Sequence, residues 1–252
     1  MTKFPESIDP FDRSSANFFV RVEHLARYEF AAEFMRKRRL TNALDCACGS
    51  GYGALSLARH AKNVTAIDRD DGLLALGAAR CEETGISNVV FRQADLNGGL
   101  PFLPDNSFDC AACFETVEHM ERDDLLLREL ARVLKRGRWL LLSAPKEGYE
   151  PQDNTGKPEN PWHLRLYTAD SLVALAERSG FAVEKTLGQP TANTLRAQSE
   201  SWRRDTGIPI EQLNACFVET SESMRYFARL FGWPSEETPE KSGVILIICR
   251  KL

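Results

Sequence analysis

The chain has 252 residues, 43% of them hydrophobic and 27% charged, and a formal net charge of −4. That length suits one large α/β domain with an insertion and disfavours two full domains. No apolar run reaches the roughly 18 residues of a membrane span, and the acidic balance offers no general footprint for a nucleic-acid backbone. Residues 1–10 are polar and include Glu6 and Asp9, unlike a secretion signal, so a cytoplasmic location is expected.

In chain order, Val22–Arg38 places Leu25, Tyr28, Phe30, Ala32, Phe34 and Met35 mainly on one side, which predicts an amphipathic helix forming an N-terminal cap over 21–40. Strands are expected at Ala43–Cys48, Val64–Asp68, Val89–Gln93, Phe108–Phe114, Trp139–Ser143, Phe181–Leu187 and Val244–Cys249. Helical patterns fall between them at Ala54–His60, Asp71–Glu83, Arg122–Leu134 and Ala169–Ser179, the last beginning after Thr168 as N-cap and stopping at Gly180. Five strands alternating with helices predict a mostly parallel sheet covered on both faces, because parallel neighbours need a crossover. Residues 188–241 then interrupt the last two strands as an insertion, with Pro190, Pro209, Pro234 and Pro239 as breakers and an amphipathic stretch, Ile210–Phe231. A helical cap, a homodimer surface and a lid over a substrate all suit it. Of seven cysteines, Cys46, Cys48, Cys110, Cys113 and Cys249 lie in strand-like stretches and read as small core hydrophobes.

The first strand runs into Gly49-Ser50-Gly51-Tyr52-Gly53 and a helix, a turn in which backbone can approach a polar ligand. Asp68, 23 positions after Asp45, closes the second strand, where a carboxylate can accept from ribose hydroxyls. These features fit a nicotinamide dinucleotide as well as other adenosine cofactors. Glu115, Glu118 and His119 follow the fourth strand at spacings that share one face of a helical turn. His24 and His60 read as structural or surface residues within helices.

The run LDCACGSGYG resembles motif I of the class I S-adenosylmethionine (SAM)-dependent methyltransferases, with Ala47 where many members carry the first glycine. AID ending at Asp68, QADL at Asp95, FDCAACFETVEHM and LARVLKRGRWLLLSAPKE resemble the later motifs in order, so the resemblance covers residues 23–183. It departs at Arg136-Gly137-Arg138, where Pro-Gly-Gly is usual in a turn before the fifth strand. The resemblance implies a single Rossmann-like domain over 1–252, a seven-stranded sheet of order 3-2-1-4-5-7-6, and a cofactor site of Tyr28, Ala47, Gly49, Ser50, Gly51, Asp68, Arg69, Asp95, Leu96 and Phe114. It makes Arg27 or Tyr28 a contact to the cofactor carboxylate or a closing wall, ordinary helix packing being the alternative for Tyr28.

FETVEH resembles the ExxEH element of ubiquinone-pathway O-methyltransferases and small-RNA 2′-hydroxyl methyltransferases. That likeness implies a divalent metal (Mg, Mn, Fe or Zn) on Glu115, Glu118, His119 and, from the loop after the fifth strand, His163; the imidazoles argue mildly against Mg. Such an ion would lower the pKa of an acceptor hydroxyl. In the metal-free alternative, His119 or His163 orients or deprotonates the acceptor. EHLARYEFAA, GYG, FETVEH and NPWHLRLYT together resemble a bacterial group associated with polysaccharide and glycolipid biosynthesis, which implies O-methylation of a sugar or glycolipid precursor. A phenol or quinone-precursor enzyme, an RNA 2′-hydroxyl enzyme and a non-catalytic cofactor-binding module are the alternatives, and the acidic composition disfavours RNA.

Overall fold

The computed structural model describes residues 7–16, 18–189, 204–205, 207, 219–236 and 242–252. Seven strands form one sheet: β1 Asn42–Cys46, β2 Asn63–Asp68, β3 Val89–Gln93, β4 Phe108–Phe114, β5 Leu134–Pro145, β6 Phe181–Gln189 and β7 Val244–Lys251. Their order is 3-2-1-4-5-7-6, as the motif resemblance implies. β1 to β5 pair in parallel, and β7 enters antiparallel between β5 and β6. Among the described residues the sheet is accompanied by the α-helices α1 Phe18–Arg38, α2 Tyr52–Ala58, α3 Asp71–Thr84, α4 Asp123–Val133, α5 Ala169–Arg178 and α6 Ser221–Phe231.

Central strands covered on both faces read as continuous apolar runs rather than alternating ones. β4 accordingly buries all its residues. One core joins Leu44, Ile67, Leu126, Leu130, Leu142, Leu172 and Ile247 beneath α4 and α5. The other joins Leu25, Met35, Leu57, Leu141 and Leu246 beneath α1, α2 and α6. At roughly 1.5–3 kcal/mol per fully buried side chain, these layers hold the strand ends in place for the loops that follow them.

Element ends follow local chemistry. Asp70 caps α3 by accepting from the Leu73 amide, and Gly85 ends that helix at φ 69°. Thr168 and Ser171 form a reciprocal capping box on α5, and Thr220 and Ser223 form another on α6. β1 stops two residues earlier than expected, because Ala47 turns into the left-handed region at φ 58°. The expected turn at Arg136-Gly137-Arg138 lies instead inside β5, where Gly137 at φ 73° accompanies a register shift between Phe108 and Cys110. His60 lies beyond the end of α2, in the turn before β2, rather than within a helix. The six cysteines among the described residues are free and buried.

Of the expected 210–231 stretch, residues 219–231 are described, with the helix starting at Ser221; Leu213 and Phe217 lie outside the described residues, as do Pro190, Pro209 and Pro239. α6 rests on α1 so closely that a Cβ on Gly232 would sit 2.7 Å from that of Ala26. Gly188 and Ser235 exchange backbone hydrogen bonds at 2.8 and 2.9 Å, which ties the end of β6 to the chain returning from α6. Among the described residues no helix is long and apolar enough to cross a membrane.

Candidate functional site

β1 and β2 end at the glycine turn. Ala47, Gly49 and Gly51 all have positive φ, at 58°, 51° and 76°. The absent side chains also let neighbours close in: a Cβ on Gly51 would lie 2.9 Å from both Gly77 Cα and the Phe91 ring. A Cβ on Gly53 would lie 2.2 Å from the Tyr28 ring, so α1 packs directly on this turn. Asp68 Oδ2 accepts from the Gly49 amide at 2.8 Å and Oδ1 from the Asp70 amide at 3.0 Å, joining the end of β2 to the turn. At the end of β3, Asp95 accepts from the Asn97 amide at 2.9 Å and Leu96 is buried. Arg69 is exposed beyond Asp68, and its carbonyl accepts from Gln93 Nε2 at 3.0 Å.

The N-terminal segment also reaches this turn. Asp9 accepts from Ser50 Oγ at 2.7 Å and pairs with Arg80 at 2.6 Å, while Arg80 donates to the Ser50 carbonyl at 3.2 Å. Behind the turn, Tyr28 Oη donates to Asp45 Oδ1 at 2.8 Å, and its ring meets Tyr52 and Phe114 edge-on at 5.1 and 5.0 Å. Asp45 is fully buried and its Oδ2 has no hydrogen-bond partner. Burial raises its pKa to about 7, against the opposing hydrogen bond from Tyr28 and with help from the Asp68 charge. Arg27 is equally buried; Nη1 donates to Gln189 at 2.7 Å and stands 3.9 Å from Glu23, whereas Nη2 has no partner.

After β4 the chain does not make the α-helical turn that the Glu115, Glu118 and His119 spacing suggested. Glu115 takes φ 49°, and only Val117–His119 forms a short 3₁₀ turn. Glu115 is drawn toward β5, accepting from Ser143 Oγ at 2.7 Å while its amide donates to the Ser143 carbonyl at 3.2 Å. Glu118, His119 and His163 instead come together, with one ligand atom from each within 4.8 Å of the others. Glu115 is not in that group, so the expected four-residue set becomes three.

Glu118 is fully buried and neither carboxyl oxygen has a hydrogen-bond partner. Burial, then the Glu115 charge, push its pKa well above the ordinary carboxyl range. His119 Nδ1 lies 2.8 Å from the Trp162 carbonyl, which can only accept, so Nδ1 bears the proton and Nε2, 3.7 Å from Glu118 Oε1, carries the lone pair. Burial lowers the His119 pKa and favours that neutral form. His163 Nδ1 is 2.6 Å from Glu150 Oε2, and its Nε2 is 3.0 Å from Asn160 Nδ2. The Leu164 amide donates to the Glu118 carbonyl at 2.8 Å, fastening the loop after β5 against the loop after β4.

One carboxylate and two imidazoles suit a transition-metal divalent cation better than Mg²⁺. The donor set fits such an ion, because Glu118 offers two unsatisfied buried oxygens and Glu150 holds His163 by the nitrogen that leaves Nε2 as the ligand. Ligation through Nε2 requires the Asn160 amide to release it.

Residues 44–142 match the family model described as "Methyltransferase domain". This segment is a methyltransferase domain. A probable S-adenosylmethionine-dependent methyltransferase of Mycolicibacterium smegmatis is 36% identical over 148 residues, covering 58% of this chain and 54% of its own length. The chain thus spans about half the length of the mycobacterial relatives it matches. A ubiquinone/menaquinone biosynthesis C-methyltransferase of Citrobacter koseri is 35% identical over 168 residues, with 65% of this chain and 66% of the relative covered. The crystal structure of YcgJ from Bacillus subtilis superposes with a TM-score of 0.56 at 20% identity, covering 88% of this chain and 97% of that one.

The methyltransferase domain holds the glycine turn, Asp68, Asp95, Glu118 and His119, but other members of the site come from outside it. Tyr28 and Arg27 arrive on α1, Asp9 from the N-terminal segment, and Glu150 and His163 from the loop after β5. Sequence reasoning passed over Asp45 and Glu150. Asp45 carried a usable signal, a lone carboxylate in a strand buried on both faces. Glu150 carried none, because its partner His163 is distant in sequence and no local pattern links them.

Proposed function

We propose that this chain is a SAM-dependent methyltransferase acting on a hydroxyl of a small molecule, with a sugar or glycolipid precursor as the first acceptor to test, and that a divalent cation assists it. The observation that carries the reaction-centre part is the buried Glu118 carboxyl, unpartnered beside two imidazoles. A buried carboxyl without a hydrogen bond is costly, so its retention calls for a ligand that meets it.

In this reading the amides from Ala47 to Gly51 and the free Nη2 of Arg27 receive the carboxylate of the cofactor's amino acid end, and Asp45 receives its ammonium. Asp68 accepts from the ribose, Asp95 and Leu96 border the adenine with Arg69 outside them, and Tyr28 and Phe114 wall the cavity. The sulfonium methyl then faces Glu118, His119 and His163. The acceptor's hydroxyl proton passes to solvent when the cation is held, or to His119 Nε2 when it is not; the oxygen forms its bond to the methyl carbon, and the carbon–sulfur bond breaks to leave S-adenosylhomocysteine. A cation held by Glu118, His119 and His163 would lower the pKa of the hydroxyl. Without the cation, His163, positioned by Glu150, orients the acceptor.

The Citrobacter koseri relative favours a second reading, C-methylation of an electron-rich ring, in which His119 takes a phenolic or carbon-bound proton. Transfer of labelled methyl to a panel of sugars, glycolipid precursors, phenols and quinols, with added metals and with chelator, separates the two. Label on oxygen, lost with chelator and in Glu118→Gln, is expected. Label on carbon, or transfer indifferent to both treatments, rejects the metal-assisted O-methylation reading. Cofactor binding without transfer to any acceptor points to a binding module.

A further inference from the structure

A second cluster of charge lies where α1, α2 and α6 meet. Glu29 on α1 is fully buried and accepts from Ser56 Oγ at 3.0 Å and Arg59 Nη2 at 2.5 Å. Arg225 Nε and Arg229 Nη2, both on α6, stand 3.3 and 3.6 Å from its oxygens. One turn along α1, Glu33 pairs with Arg36 at 2.6 Å and Lys37 at 3.5 Å. Outward of these pairs opens a groove of about 600 Å³ lined by Glu33, Arg36, Lys37, His60, Arg229 and Trp233.

Two features set this place apart from a structural staple. First, Glu29 has three arginines around it, although only its Oε1 accepts hydrogen bonds and Oε2 has no hydrogen-bond partner. Among the described residues, five cationic side chains share two carboxylates, in a chain whose formal charge is −4. Burial first, and then the neighbouring Arg59 charge, depress the Arg225 pKa. Burial and the charges of Arg59 and Arg36 likewise lower that of His60. Second, the groove is open to solvent and has an aromatic wall, Trp233, braced edge-on by Phe30 at 5.4 Å. It lies away from the glycine turn. α2 begins at that turn and runs back to Arg59 and His60, just before β2 starts, and α1 ends just before β1 starts. The groove therefore belongs to the amino edge of the parallel strands, opposite the methyl site.

We propose that this groove binds the phosphate or diphosphate group of a ligand, with Arg36, Lys37 and Arg229 meeting the anion and the Trp233 indole flanking what it is attached to. Guanidinium groups match phosphate oxygens in pairs, and the ammonium of Lys37 adds a movable charge. The same chemistry serves a free phosphorylated metabolite or the headgroup of an anionic lipid.

Titration of the whole chain with inorganic pyrophosphate, followed by calorimetry and by indole fluorescence, tests the site. A parallel arm uses vesicles of phosphatidylcholine with and without phosphatidylglycerol. Saturable pyrophosphate binding is expected, weakened roughly tenfold or more by Lys37→Glu with Arg229→Gln, as for the loss of charged hydrogen bonds. Lys37→Gln, at an exposed position that leaves Glu29 untouched, should show a smaller loss in the same direction. SAM binding should stay as in the wild type in all variants, and the groove proposal does not depend on it. Response to phosphatidylglycerol vesicles alone assigns a lipid headgroup; response to pyrophosphate alone assigns a free ligand. No saturable binding in either arm, or equal affinity in the variants, overturns the proposal.

Discussion

Asp45→Asn isolates one buried charge whose cost can be worked from the structure. Asp45 titrates at its ordinary 3.8 when exposed and at about 7 in the fold, chiefly because burial penalises its charged form. Between those values the folded chain keeps a proton that the unfolded chain has lost. Stability therefore falls as pH rises, by about 1.4 kcal/mol per unit and about 4 kcal/mol across the window, and levels off above pH 7. Asparagine can still accept from Tyr28 but cannot ionise, so the variant lacks that slope. It also buries an amide at the unpartnered Oδ2 position, a pH-independent offset of about 1–3 kcal/mol. Glu118, also raised by burial, tilts both proteins alike, and the difference between them cancels its contribution. Urea unfolding at intervals from pH 4 to 8 gives that difference curve. On the proposed role of Asp45, SAM binding removes its proton, so affinity rises toward pH 7 and calorimetry in buffers of unequal ionisation enthalpy shows proton release. The variant should bind roughly ten- to a hundredfold more weakly at neutral pH without that dependence. A flat difference curve would falsify the burial argument, and buffer-independent binding heat would exclude Asp45 as the ammonium partner.

Gly53→Ala places a methyl against the Tyr28 ring and should cost about 1–3 kcal/mol, measured by denaturant unfolding, with most of the loss absent in a Tyr28→Ala background. Glu150→Gln should leave SAM affinity unchanged while reducing methyl transfer by roughly 10–100-fold, since it loosens His163 rather than the glycine turn; an equal loss of cofactor affinity contradicts that separation. Asp9→Ala removes the carboxylate that Ser50 and Arg80 share, so tryptic cleavage at Arg13 should accelerate and stability fall by about 1–3 kcal/mol. An unchanged cleavage rate means that the N-terminal segment is held by other contacts.

Hydrophobic periodicity and turn chemistry act locally, and what depends on them was readable along the chain. The seven strands, the glycine turn, the Thr168 cap and the acids closing β2 and β3 all follow from neighbouring residues. Their edges were less legible. Gly137 reads as a turn residue and keeps a left-handed backbone, yet it stands within β5, in the stretch 135–138 that the register with β4 skips. The Glu115, Glu118 and His119 spacing reads as a helical face, yet the hydrogen bonds of Glu115 to Ser143 on β5 pull it off that face.

The sequence by itself determined which residue types stand at each strand end, because strand and turn propensities are properties of short segments. Tertiary structure alone decided which of those residues meet. Glu150 reaches His163, Arg27 reaches Gln189, and Asp9 reaches Ser50 only once α1 and the loops are packed on the sheet. Burial, which shifts Asp45 and leaves Glu118 without a partner, exists only when separate segments exclude water together, and no short run of residues encodes it.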